Sequence, residues 1–220
     1  MFNRKPADPI KPATGSDTGE WSAPALRKSG WGSILVWLLL GSVIVSVTVI
    51  IQDGQRRAAI KVEATRLEDA AREGIRRAMG YLREGKRDLV VANDTELASH
   101  LDWLTGLRPD GYPDLCATRL FLLAQAHLLG GTQEDARLAT NLFEEGLSHL
   151  NRFEGDIWSM GLLGRGRAAY VMGDYAAANA DFDVLIQRYP GFGAAYYWRS
   201  LSRQGQGDVE GAWDDKIRAR

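Results

Sequence analysis

Apolar and polar positions along this chain follow the helical period almost throughout, after one uninterrupted apolar run. Residues 29–52 carry no charged side chain, and Trp31–Ile51 is nearly continuous in aliphatic and aromatic residues. As a helix rising ~1.5 Å per residue, that run covers about 31 Å, close to the hydrocarbon core of a bilayer. It predicts a transmembrane helix over 31–51. After it, the pattern predicts helices at about 56–84, 87–105, 115–129, 133–150, 157–172, 175–188, 193–205 and 208–219. The breaks are Glu84-Gly85-Lys86, the loop 105–114 with two prolines and two glycines, Gly130-Gly131, a loose stretch at 151–156, Gly173-Asp174, Tyr189-Pro190-Gly191 and Gly205-Gln206-Gly207. No segment alternates with a period of two, so the expected class is all-α.

The apolar run exceeds the 7–15 residues of a signal-peptide core and is followed by Gln52-Asp53-Gly54-Gln55-Arg56-Arg57 rather than a small-residue cleavage site. We read it as a retained signal anchor. Residues 1–30 hold Pro6, Pro9, Pro12 and Pro24 with few large apolar groups, the composition of a disordered tail. Trp21 and Trp31 are candidates for the headgroup level. Arg27 and Lys28 directly before the span favour a cytoplasmic N-terminus, although Arg56, Arg57, Lys61 and Arg66 follow closely. The expected location is a single-pass membrane protein of the bacterial inner membrane, with its C-terminal body periplasmic. Asn93-Asp94-Thr95 matches a glycosylation sequon, which we take as a chance match.

Between 56 and 84, Ile60, Ala64, Leu67, Ala71, Gly74, Ala78 and Tyr81 alternate at spacings of four and three. So small-sided a seam reads as a face for the next helix of its own domain, ahead of a dimerising coiled coil. The formal net charge of -1 lacks the basic excess of a nucleic-acid binder. The single cysteine, Cys116, rules out an internal disulfide and a cysteine-rich zinc site.

The helix pairs carry a 34-residue recurrence. Counting Ser159 as one, Gly166 falls eighth, Gly173-Asp174-Tyr175 fifteenth to seventeenth, Ala178 twentieth, Phe182 twenty-fourth and Pro190 thirty-second. From Gly193 the count restarts, with Tyr196 fourth, Ser200 eighth, Gly207-Asp208 fifteenth and sixteenth, and Ala212 twentieth. Upstream, Leu120, Leu123, Ala124, His127, Gly131 and Ala136 mark a longer, irregular unit, and Ala78, Tyr81 and Gly85 a fainter one. These positions resemble the tetratricopeptide repeat (TPR), in which small residues let two antiparallel helices approach, an aromatic fills the gap between pairs and a proline ends the second helix. Arg165, at a position usually apolar, and Leu185, where a small residue is usual, depart from the pattern. The resemblance implies a short α-solenoid over 115–220, preceded by a helical connector and a degenerate first hairpin over 52–114. Such units bury their apolar faces only against one another.

The resemblance also implies a groove lined by the first helix of each pair. The lysine, asparagine and arginine that clamp acidic peptide termini in some TPR grooves are not at the equivalent positions here. The groove residues would be Phe121, Gln125 and Leu128, then Met160, Leu163, Arg167 and Tyr170, then Tyr197, Leu201 and Gln204: an apolar, aromatic lining suited to a peptide or amphipathic helix. Gly164-Arg165-Gly166-Arg167-Ala168-Ala169 matches G-x-G-x-x-A but lies inside a helix, where a dinucleotide site needs a preceding strand. His100, His127 and His149 are widely separated in sequence. Cys116 reads as partly buried, and Glu144-Glu145 and Asp214-Asp215 as solvated helix faces. The expectation is a non-enzymatic, cofactor-free adaptor that holds a protein partner near the membrane. The alternative is a self-associating structural component of a membrane complex.

Overall fold

The computed structural model describes residues 31–150 and 155–220, with side chains from residue 38 onward. The expected tail over 1–30 and residues 151–154 of the loose stretch expected at 151–156 lie outside the described residues. Eight helices are present among the described residues: α1 (Trp31–Arg83), α2 (Arg87–Leu107), α3 (Pro113–Leu128), α4 (Gln133–His149), α5 (Asp156–Met172), α6 (Tyr175–Arg188), α7 (Gly193–Gln206) and α8 (Val209–Arg218). No strand occurs among them. The chain is all-α.

The apolar run and the helix expected at 56–84 are one element, not two. The segment Gln52–Gln55 contains no proline, and a lone Gly54 costs a helix only about 1 kcal/mol, too little to stop it. The chain divides into two compact units, Met1–Arg56 and Arg57–Arg220. In the first, the aliphatic side chains from Leu38 to Ile51 are exposed all round the helix. This helix is long and apolar enough to cross a membrane.

In the second unit each turn is built from local chemistry. Gly173 and Gly207 adopt positive φ of 82° and 85° as the C-caps of α5 and α7, and Gly131, at 70°, turns the chain two residues past the α3 cap; the residue after each then caps the next helix. Thr132, Asp174 and Asp208 accept, at 3.0 Å, the backbone N–H groups of Asp135, Ala177 and Gly211. This N-cap contributes about 1 kcal/mol. The result is three tight hairpins, α3–α4, α5–α6 and α7–α8. Successive helices are neighbours from α2 to α8, and α3 also touches α5 and α5 touches α7.

Two apolar cores result. One joins α1, α2 and α3 through Ala71, Ile75, Ala78, Leu97, Leu104 and Leu122. From Ala64 to Tyr81 the small-residue seam of α1 packs inside its own unit, while Ile60 is exposed, and Asn93 Nδ2 donates to the Gly74 carbonyl at 3.0 Å. That bond occupies the asparagine of the sequon. The second core runs from α3 to α7 around Phe121, Phe143 and Phe182, all fully buried. Helical glycines make room for these rings: a Cβ on Gly146 or Gly161 would collide with Phe121, on Gly164 with Phe143, and on Gly166 with Phe182. The G-x-G-x-x-A match is thus a ring-packing face.

Gly161→Ala is expected to destabilise the protein by about 1–3 kcal/mol through overpacking. Adding Phe121→Leu, which removes the colliding ring, should recover part of the loss. Urea titrations of the two single variants and the double variant measure the coupling.

Candidate functional site

The structure separates the expected groove residues into three groups. Phe121 is buried between α4 and α5 and cannot meet a partner, which corrects its assignment to a groove. It falls on the inner face because Ala117, Phe121 and Ala124 form one stripe of α3 turned to the core. Gln125 and Leu128 are half-buried, Leu128 against the same core.

Arg167 and Tyr170 lie under α7. The Trp198 ring sits 4.8 Å from the Arg167 guanidinium carbon and edge-on to Tyr170 at 5.8 Å. Arg167 Nε is buried without a hydrogen-bond partner, and burial lowers the side chain's pKa. The cation–π contact is its visible compensation. Both are half-buried and take part in the junction between consecutive hairpins.

The remaining residues line two cavities, with Met160, Leu163 and Leu201 half-buried and Tyr197 and Gln204 exposed. Met160 and Leu163 line a cavity of about 690 Å³ with Ser159, Tyr189, Pro190 and Phe192, closed at one edge by the α6–α7 turn. Tyr189 Oη accepts from the Gly155 N–H at 2.8 Å, which ties that turn to the start of α5. Tyr197, Leu201 and Gln204 line a different cleft, of about 220 Å³, between α7 and α8.

Buried ion pairs are the feature that sequence reading missed. Arg165 donates two hydrogen bonds to Asp181, at 2.9 and 2.6 Å. Thirty-four residues on, Arg199 donates two to Asp215, at 2.7 and 2.5 Å, and a third to Asp183 of the preceding hairpin at 2.6 Å. Both bidentate pairs span 16 residues. Arg165 is therefore no packing defect: it is the earlier copy of Arg199. Asp215 is buried and also meets Arg203 at 3.0 Å, which corrects its reading as solvated surface. The Asp215 carboxylate, with Asp183 after it, holds Arg199 charged against the opposing effect of burial, and the Arg199–Asp215 pair fixes α7 against α8. The signal was present in the sequence as Arg-x15-Asp, repeated at the period of the helices.

A second cluster joins α2, α3 and α4. Asp135 receives the Thr132 hydroxyl at 2.7 Å and Arg87 Nη2 at 2.5 Å, and His127 Nδ1 lies 3.4 Å away. The Thr132 hydrogen bond, followed by those of His127 and Arg87, draws the Asp135 carboxyl below its ordinary range against the opposing effect of burial. Arg119 holds Asp94 in a bidentate pair at 2.7 and 2.9 Å.

Cys116 and His149, distant in sequence, line one cavity of about 680 Å³ with Asp102, Arg119 and Glu145. Burial raises the thiol's pKa, opposite to what a nucleophile needs, while Arg119 is engaged by Asp94. Among the described residues no group of three histidine, cysteine or carboxylate side chains is placed to hold a metal ion. The chain matches no protein-family model and no curated protein.

Two measurements test this reading. Cys116 should react with maleimide at pH 7 well below the rate of an exposed thiol in the same chain, such as Leu138→Cys; equal rates would contradict it. For Asp135, a lowered folded pKa means stability that is full above the unfolded value of ~3.9 and lost as pH falls through the folded value. Asp135→Asn should therefore lower Tm at pH 7 and flatten its decline below about pH 4.

Proposed function

We propose that this chain is a membrane-anchored, TPR-like adaptor that presents a short array of helical hairpins to a protein partner. One observation carries the reading: turn glycine, N-cap aspartate and bidentate Arg–Asp pair recur together at 34 residues in α5–α6 and α7–α8. Recurrence of an entire bonding pattern favours stacked equivalent units over a bundle of unrelated helices. The contacts of α3 with α5 and of α5 with α7 support it, because the first helices of successive units then form a continuous layer. The candidate span among the described residues supplies the anchor. Arg27 and Lys28 before it favour a body on the periplasmic side of a bacterial inner membrane.

The partner-binding surface we assign is the cavity of Met160, Leu163, Tyr189 and Phe192. It is mainly apolar, open at one side, and large enough for two or three side chains of an extended peptide or an amphipathic helix. No catalytic step or cofactor enters this reading. Its role would be to hold one component while a membrane or envelope complex assembles.

A photocrosslinking residue at position 160 of the full chain, in native membranes, should yield a discrete adduct with one other protein. Ser159→Arg, which fills the cavity and leaves the aromatic core in place, should abolish that adduct while Tm shifts little. An adduct that survives Ser159→Arg, or no adduct, would contradict the assignment. A C-terminal reporter active only in the cytosol would contradict the orientation.

A further inference from the structure

The α5–α6 hairpin shows how a hairpin is covered by the next one, and the α7–α8 hairpin carries the same positions uncovered. On α5–α6, α7 answers each group. Trp198 lies over Arg167 and Tyr170, and Gly205 receives the Tyr175 ring. Asn179 Nδ2 donates to Gln206 Oε1 at 2.8 Å, and Arg199 donates to Asp183 at 2.6 Å. Thirty-four residues later, Arg167, Tyr170, Tyr175, Asn179 and Asp183 become Leu201, Gln204, Val209, Trp213 and Ile217. The polar anchors Asn179 and Asp183 are replaced by Trp213 and Ile217, so this later face is apolar. Val209, Trp213 and Ile217 are 71%, 63% and 56% exposed. The 220 Å³ cleft beside them runs between α7 and α8.

We propose that this face docks a second copy of the same chain through α8, the two helices lying parallel about a two-fold axis. The charges flanking the stripe select that occupant and that direction. Val209, Trp213 and Ile217 recur every four residues and make one ridge. At 3.6 residues per turn, Glu210 and Asp214 fall on one edge of the ridge and Lys216 on the other, where it lines the cleft with Tyr197. All three charged groups are exposed. A two-fold axis along α8 sets Trp213 against Trp213 of the second copy and lays each acidic edge over the other copy's Lys216. An antiparallel two-fold would instead set acid against acid. Like charges on one flank disfavour it, so the parallel arrangement is the complementary one. The surface is self-complementary and independent of the cavity at Met160.

The test uses the full chain in its membrane, with Cys116→Ser to remove the native thiol. Trp213→Cys should form an oxidative crosslink of twice the chain mass, because the axis brings the two positions together. Val184→Cys, exposed on α6, is the control and should stay uncrosslinked. In the Trp213→Cys background, Asp214→Lys or Lys216→Asp alone should lower the yield roughly three-fold or more. The two together should restore it, which only a second copy of this chain explains. A crosslink to a different protein, absence of the double-mass band, or a double swap no better than either single swap would overturn the proposal. None of these outcomes bears on the adduct at position 160.

Discussion

Close approach of helix backbones to aromatic rings is the constraint on which the body depends. Phe121, Phe143 and Phe182 are fully buried, and each ring occupies the space where a neighbouring helix's side chain would otherwise begin. Gly146, Gly161, Gly164 and Gly166 supply that space. Glycine inside a helix costs about 1 kcal/mol relative to alanine, whereas a buried phenylalanine is worth 3–5 kcal/mol against truncation. The exchange favours the rings. It also fixes which helix faces which, because a ring and its glycine recess fit in one register.

The Arg–Asp pairs add specificity to that packing. Desolvated charges are poor sources of net stability, since the penalty of burying them offsets most of the attraction. Their geometry is demanding, however. Arg199 satisfies Asp215 within its own hairpin and Asp183 on the hairpin before. A helix slipped by one residue would leave a buried charge unpaired. The same side chain therefore sets the internal register of one unit and its seat on the next.

Much of this was legible in sequence because helix boundaries here are marked by local chemistry. Gly131-Thr132, Gly173-Asp174 and Gly207-Asp208 each combine a positive-φ residue with a side-chain cap, and the helices begin and end beside them. The surface was less legible. Periodicity tells which residues share a face of a helix but not what that face meets. Phe121 falls on the core-facing stripe of α3, where glycine recesses enclose it, and Trp198 leaves Arg167 and Tyr170 half-buried. Asp215 looked solvated because its partner lies 16 residues away, beyond the range of a helical-wheel argument.

The proposed open stacking of the hairpins is the central claim, and one distance tests it most directly. Spin labels at Leu138→Cys on α4 and Arg218→Cys on α8, in the Cys116→Ser full chain diluted with unlabelled protein, report the separation of the first and last hairpins. With three helices between α4 and α8, and about 8–10 Å per interhelical step, the account predicts a single separation beyond roughly 20 Å. A separation of about 10 Å would place α4 beside α8, as in a closed bundle, and would contradict it.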